Sequence, residues 1–287
     1  MPFRWPCVAD GVAIVRDGHR TWLKWHRARK QLTDLPFTGE RILEGLRAGA
    51  SIEVDLVKHA GGGFAVLHDF SLDRGTTGSG LVKETPTSVL RGLNLRDAGG
   101  RPTAHKVMLF EDLCGLIAAG EGISPDSVLQ LDLKEEDPAS LGPREIAAFA
   151  AAVGPIASHF ILSGGSAATM LKLAGPVPQL AIGYDPCHDG TIERLIATKK
   201  FMAFVADAVA AAPKAKMIYL EYRLVLFAAE QGFDLIAAFH DAGRTVDAYT
   251  LNKTTPETAA IAEQLLHLKA DQITTDDPVG LEAMLKR

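Results

Sequence analysis

From residue 51 onward the chain alternates short apolar runs of strand length with amphipathic segments of helix length. A strand, a helical crossover and a second strand build one parallel unit, so a long series of them leaves few architectures open. Strands are expected at 51–57, 127–134, 159–162, 179–182, 217–220, 244–250 and 272–275. Helices are expected at 143–153, 167–173, 191–198, 225–242, 256–268 and from Pro278 onward. Upstream, 12–16 and 21–25 flank an Asp17-Gly18 turn and read as a β-hairpin whose second arm is the first strand of the series. Segment 38–48 carries Ile42, Leu43 and Leu46 at helical spacing and stops at Gly49. Segments 87–93 and 108–119 also read as helices, while the Ala/Val-rich segment 201–212 fits either type.

About eight such units over this length predict an α/β fold, a (β/α)8 TIM barrel with an N-terminal β-hairpin, formed as one domain over 1–287. An open doubly wound sheet is the structural alternative, but no Gly-rich phosphate loop follows an early strand.

One strand carries an unusual load. In 51–57 the carboxylates Glu53 and Asp55 alternate with Ile52, Val54 and Leu56, and alternate strand residues share a face. Alternation alone favours a half-exposed antiparallel strand with its polar face in water. If both faces are buried, two like charges that close repel each other and lose hydration, and they require a cation or a proton. Other polar groups stand at comparable places. The first strand ends in His26-Arg27, the run 64–67 ends in His68-Asp69, and 127–134 carries Gln130, Asp132 and Lys134. In a barrel the C-terminal strand ends converge on one mouth, where catalytic groups sit. The Gly- and Thr-rich segment that follows His68 reads as an ordered active-site loop.

Charge and cysteine content remove several function classes. A net charge of −5 and no Lys/Arg-rich run argue against a nucleic-acid surface. Three scattered cysteines, Cys7, Cys114 and Cys187, form neither a disulfide framework nor a zinc signature. No signal-type leader and no apolar run long enough to span a membrane is seen, so a cytoplasmic protein without a stable membrane anchor is expected.

The remaining chemistry is specific. Glu53, Asp55 and Asp132 are hard oxygen donors that suit Mg2+ or Ca2+ better than zinc. His26 and His68 suit general acid/base work near neutral pH. Arg27 and Lys134 supply positive charge for phosphoryl oxygens. Together they point to cleavage of a small phosphodiester. Glu221, at the end of the strand 217–220, is a candidate substrate contact, and Tyr249 fits a pocket wall as well as a core.

These residues resemble the glycerophosphodiester phosphodiesterase family, of the phospholipase C-like phosphodiesterase type. The His-Arg pair matches His26-Arg27, the Glu-x-Asp motif matches Glu53-Val54-Asp55, and the His-Asp followed by Leu-Asp-Arg-x-Thr-x-Gly-x-Gly matches His68-Asp69 and 72–80. Weaker echoes run through Asp132-Leu133-Lys134, 249–252 and 273–278. The resemblance implies a metal-dependent barrel in which Glu53, Asp55 and Asp132 hold the cation and His26 and His68 form the acid/base pair, releasing an alcohol and glycerol 3-phosphate.

The chain departs from the family pattern in places. Ala28 stands where Gly is usual, Pro36-Phe37 replace the Glu-Asn that normally opens the first helix, Asp132 replaces a more common Glu, and Tyr249 replaces a Trp. His19-Arg20 has the wrong distance to Glu53 to be the motif. Cys187, His188, Asp185 and Asp189 share a loop without any metal-ligand spacing. Competing readings are a sphingomyelinase D-like phospholipase, against which the intact 72–80 motif argues, and a non-catalytic barrel that binds phosphorylated alcohols, which has no use for an acid/base pair. A magnesium-dependent barrel of the enolase type would need a lysine base on a late strand.

Overall fold

The computed structural model describes residues 10–188 and 190–286, so Cys7 and Asp189 lie outside the described residues. The chain opens with strand β1 (Ala13–Arg16) antiparallel to β2 (His19–Trp25), joined through Asp17-Gly18. Then come α1 (Gly39–Ala48), β3 (Ser51–Lys58), β4 (Phe64–Val66), α2 (Thr87–Gly92), β5 (Asn94–Arg96), β6 (Pro102–Lys106) and α3 (Phe110–Ala118). The regular part follows: β7 (Val128–Leu133), α4 (Pro143–Val153), β8 (Phe160–Ser163), α5 (Ala167–Ala174), β9 (Ala181–Tyr184), α6 (Thr191–Thr198) and α7 (Phe201–Ala211). It ends with β10 (Ala215–Glu221), α8 (Tyr222–Glu230), α9 (Leu235–Asp241), β11 (Thr245–Leu251), α10 (Pro256–His267), β12 (Gln272–Thr275) and α11 (Pro278–Leu285).

Among the described residues, eight parallel strands run in the order β2, β12, β11, β10, β9, β8, β7, β3, and β2 pairs with β3 to close the ring. This is the predicted (β/α)8 barrel with its hairpin. β1 flanks β2, and β4 folds back antiparallel on β3 through Leu56↔Val66. The closing register, Trp25↔Ile52, lies under Gly45 of α1. A Cβ there would sit 2.6 Å from Ile52 Cδ1, so the missing side chain lets the helix settle onto the seam. Gly49, at φ 77°, then ends α1 in the left-handed conformation that an L-residue adopts at a cost.

The period-two pattern sorts the side chains. Leu23 and Trp25 of β2, Ile52, Val54 and Leu56 of β3, and Leu129 and Leu131 of β7 are fully buried in the main apolar core. The alternate residues Lys24, Glu53, Asp55 and Gln130 are buried too, but toward the axis. Both faces of β3 are therefore out of water, and the half-exposed strand that alternation alone favours is not what forms. Instead of stacked Val, Ile and Leu layers, the barrel interior holds a hydrogen-bonded network. Ser51 Oγ donates to Gln272 Oε1 at 2.9 Å, Thr274 Oγ1 donates to Asp247 Oδ1 at 2.7 Å, and Lys24 Nζ lies 3.0 Å from Asp247 Oδ2 and bonds Gln130 Oε1.

Three expectations are corrected. The single helix at 225–242 is two, α8 and α9, because Gly232 at φ 80° breaks the run and Asp234 caps a new start, accepting from Ala237 N–H at 2.9 Å. The strand expected at 179–182 is shifted to β9. The β5–β6 hairpin has no counterpart among the expected elements, since its residues alternate no apolar side chains. It is held on the barrel by a second, smaller apolar cluster that includes Val57, Leu72, Val82, Leu95 and Val107. The ambiguous segment 201–212 is α7.

Candidate active site

The C-terminal ends of the barrel strands surround a cavity of about 620 Å3. Immediately after β2 the backbone turns sharply. Arg27 and Ala28 both take left-handed conformations, at φ 54° and 57°, and this turn puts His26 on the cavity wall while Arg27 N–H donates to Glu53 Oε2 at 2.7 Å. Left-handed backbone is costly for side-chain-bearing residues and persists where the surroundings enforce it. Ala28 is fully buried, and the positive φ gives the physical reason glycine suits this position.

His26 is fixed through Nδ1, which leaves Nε2 toward the acidic side of the cavity. Nδ1 lies 2.5 Å from Asp276 Oδ1, and Nε2 lies 3.9 Å from Glu53 Oε2. Asp276 also accepts a hydrogen bond from Arg29. Burial pushes the imidazole below its ordinary range, and the Asp276 hydrogen bond and charge offset only part of that. His26 is therefore held neutral near pH 7. His68, in the turn after β4, repeats the arrangement: its Nδ1 lies 2.7 Å from Asp69 Oδ1, and Arg74 donates two hydrogen bonds to the same carboxylate. The Arg74 guanidinium, with the imidazole, brings Asp69 down to about 2.

The acidic trio lines the same cavity as the two histidines. Glu53 and Asp55 project inward from β3 and Asp132 from β7, where Asp55 and Asp132 are register partners. Their oxygens lie within 4.8 Å of one another, and among the described residues this is the one such grouping of His, Cys, Asp or Glu. Burial, then the charges of Asp55 and Asp132, push the Glu53 carboxyl well up. Burial alone would also raise Asp132, but Lys134 and the Ser163 hydroxyl outweigh it and hold that carboxyl low.

Lys134 points into the mouth rather than toward Glu135 or Glu136. Its Nζ lies 2.7 Å from Asp55 Oδ1 and 2.5 Å from Asp132 Oδ2. Those charges keep its ammonium well above the lysine range against the opposite pull of burial. Ser163 Oγ donates to the remaining Asp132 oxygen at 3.0 Å, and Arg27 Nε lies 3.4 Å from Asp55 Oδ2.

The donor set fits a hard divalent cation. Asp55 Oδ2 is buried without a hydrogen-bond partner, and burial with the charges of Asp55 and Asp132 penalises an ionised Glu53, a penalty that a cation would relieve. All three candidate donors are carboxylates. Carboxylate oxygens are hard donors, the type that divalent cations such as Mg2+ and Ca2+ take.

The other expected residues divide. Tyr249 lines the cavity and hydrogen-bonds Asp185, and burial pushes its hydroxyl far up. Glu221 stands at the end of β10 but is not among the described residues lining the cavity; its carboxylate accepts from Arg223 at 3.1 Å.

Several residues in or behind the cavity wall escape a reading of the sequence. Asp276 sits within the 273–278 motif, but nothing local marks it as the partner of His26. Asp185 and His188 stand on the wall itself, with Nε2 of His188 3.2 Å from Asp185 Oδ2. The Asp185 hydrogen bond raises the His188 imidazole and outweighs burial. Lys24 closes the floor, its Nζ 4.4 Å from the centre of the Tyr219 ring. The alternation of Lys24 with Leu23 and Trp25 was the available signal, since it marks an inward-facing position.

No family model and no curated protein matches the chain. Solved structures do. A glycerophosphodiester phosphodiesterase from Agrobacterium tumefaciens is 22% identical, with a TM-score of 0.61 over 92% of this chain and 99% of that one. An Oleispira antarctica phosphodiesterase in complex with the product sn-glycerol-3-phosphate is 19% identical, with a TM-score of 0.66 over 92% and 96%. A glycerophosphodiester phosphodiesterase from Thermotoga maritima is 19% identical, with a TM-score of 0.60 over 93% and 99%. The likeness spans nearly the whole chain in each case, and it is a likeness of fold.

Proposed function

We propose that this chain is a phosphoric diester hydrolase of the glycerophosphodiester phosphodiesterase family, cleaving a small phosphodiester to an alcohol and glycerol 3-phosphate. The observation that carries the reading is the pairing of two histidines, each backed by a carboxylate and an arginine, with the acidic trio at the mouth of the barrel. The product named for the Oleispira neighbour agrees with it.

In this reading His26, kept neutral by burial, takes the proton from a substrate hydroxyl beside the phosphate as its oxygen attacks phosphorus. The P–O bond to the alcohol breaks, and His68 delivers the proton to the departing oxygen. Water then opens the cyclic phosphodiester with the two roles reversed. Asp276 and Asp69 hold the rings and stabilise each imidazolium as it forms. Arg27 and Lys134 stand beside the acidic trio to meet phosphoryl oxygens. Glu53, Asp55 and Asp132 would hold a divalent cation, which supplies charge neutralisation at the phosphoryl group.

The test is turnover of glycerophosphocholine, glycerophosphoethanolamine and bis(p-nitrophenyl) phosphate, with EDTA and after Mg2+ or Ca2+ is restored. Release of alcohol should require metal, and His26→Ala and His68→Ala should each lower it by about 10²- to 10⁴-fold. No turnover of any diester by folded, metal-loaded protein refutes the reading.

A further inference from the structure

A second cavity of about 600 Å3 opens beside the first, and Arg27 and His68 line both. A phosphodiester has two ester arms, and a phosphorus beside Arg27 and His68 would stand where the two spaces meet. The second cavity lies between the segment 32–37, which bends back at Phe37 with φ 63°, and the β5–β6 hairpin. Leu35, Phe37 and Leu95 supply apolar wall.

Most of its charged neighbours have a counter-charge: Arg29 engages Asp276, Arg27 Nε lies 3.4 Å from Asp55 Oδ2, and His105 Nδ1 lies 3.8 Å from Glu40 Oε2. Asp34 binds Arg41 at 2.7 Å, Asp97 binds Arg101 at 2.8 Å, and Asp69 binds Arg74. Arg96 donates to the Thr76 and Gly100 carbonyls at 2.6 and 2.7 Å. An ionic arm would compete with the charges already in these pairs, whereas an uncharged apolar arm gains by leaving water.

We propose that this cavity receives the leaving-alcohol arm of the substrate and selects an uncharged, apolar alcohol, an alkyl or aryl group, while the glycerol phosphate arm occupies the first cavity. The proposal rests on the phosphodiesterase reading and narrows its substrate class.

The experiment compares glycerol 3-phosphate esters of methanol, butanol and octanol, and glycerophosphocholine, in the wild-type enzyme and in Ala104→Trp. Ala104 is an exposed cavity-wall residue on β6, where added bulk fills the space without entering the core. Each methylene that finds the cavity should raise kcat/KM by about two- to fourfold. The octyl ester should then exceed both the methyl ester and glycerophosphocholine. Ala104→Trp should erase the chain-length gain and leave the methyl ester unchanged, and Ala98→Trp serves if the first variant fails to fold. Octyl phosphate, titrated by calorimetry, should bind the wild type more tightly than ethyl phosphate and lose that advantage in the variant.

Turnover of the methyl ester with no gain along the series, or an equal effect of Ala104→Trp on every ester, overturns the proposal. Preferential octyl phosphate binding without turnover of any ester overturns the phosphodiesterase reading and leaves the apolar cavity standing.

Discussion

Nδ1 of His26 lies 2.5 Å from Oδ1 of Asp276, a carboxylate 250 residues further along the chain that Arg29 also engages. The pair fixes which imidazole nitrogen faces the cavity. It also opposes the effect of burial, which lowers the histidine's affinity for a proton. Asp276→Asn removes that opposition, so His26 stays neutral to a lower pH. The acid limb of the kcat/KM profile is expected to move to lower pH, with kcat reduced by about 10²-fold. A variant that only loosened the fold would lose activity without moving the limb.

The acidic trio makes metal affinity measurable apart from activity. Calorimetric titration with Mg2+ or Ca2+ is expected to show one site in EDTA-treated protein and none in Asp55→Asn. Ser163→Ala, which takes the hydroxyl from Asp132 Oδ1, is expected to weaken binding by about tenfold, as loss of an outer partner of a metal ligand typically does. Unchanged affinity in Ser163→Ala would mean that Asp132 needs no such support.

Lys24 and Asp247 form an ion pair inside the barrel, 2% and 0% exposed. Lys24→Met leaves a buried carboxylate without its counter-charge and is expected to cost about 3–5 kcal/mol in urea unfolding. Adding Asp247→Asn, which keeps an acceptor for the Thr274 hydroxyl, should restore more than half of that loss. Additive losses in the double variant would show that the two residues do not act as a pair.

Ala28 is a candidate for stabilisation. Its φ of 57° strains an alanine, while glycine takes it freely. Ala28→Gly is expected to lie between no change and a gain of about 1 kcal/mol, the backbone relief being offset by a more flexible unfolded chain and a lost buried methyl. A loss beyond 1 kcal/mol would show that the methyl's packing outweighs the strain.

The features that local pattern determines were legible in the sequence. The βα alternation identified the eight barrel strands, and the spacing of His26, Glu53, Asp55, His68, Asp132 and Lys134 at strand ends brought them to one mouth. What the sequence concealed depends on pairing at a distance. Asp276 matters because β12 runs beside β2, and Asp185 and His188 because the β9 loop faces Glu136 across the mouth. Lys24 alternates with Leu23 and Trp25, but a buried lysine is excluded by its cost until Asp247 and Gln130 are known to face it. The β5–β6 hairpin was invisible for a different reason: its exposed, polar residues carry no periodic signal, and Val57, Leu72 and Leu95 hold it in place through contacts in three dimensions.

The junction of the first and last barrel strands bears on how the molecule comes into being. β12 pairs with β2 from Gln272↔Trp22 to Thr275↔Trp25, joining the first and eighth staves in chain order. Contacts spanning that much chain carry the largest entropic cost of closure. Asp276 follows directly on β12, so the carboxylate that orients His26 arrives with the strand that shuts the ring. A partly folded chain lacking that strand exposes two unpaired sheet edges, on β2 and β11, and has an imidazole with no fixed orientation. Acquisition of the closed architecture and of a competent site are therefore one event, and any breathing of this junction in the folded protein suspends both together.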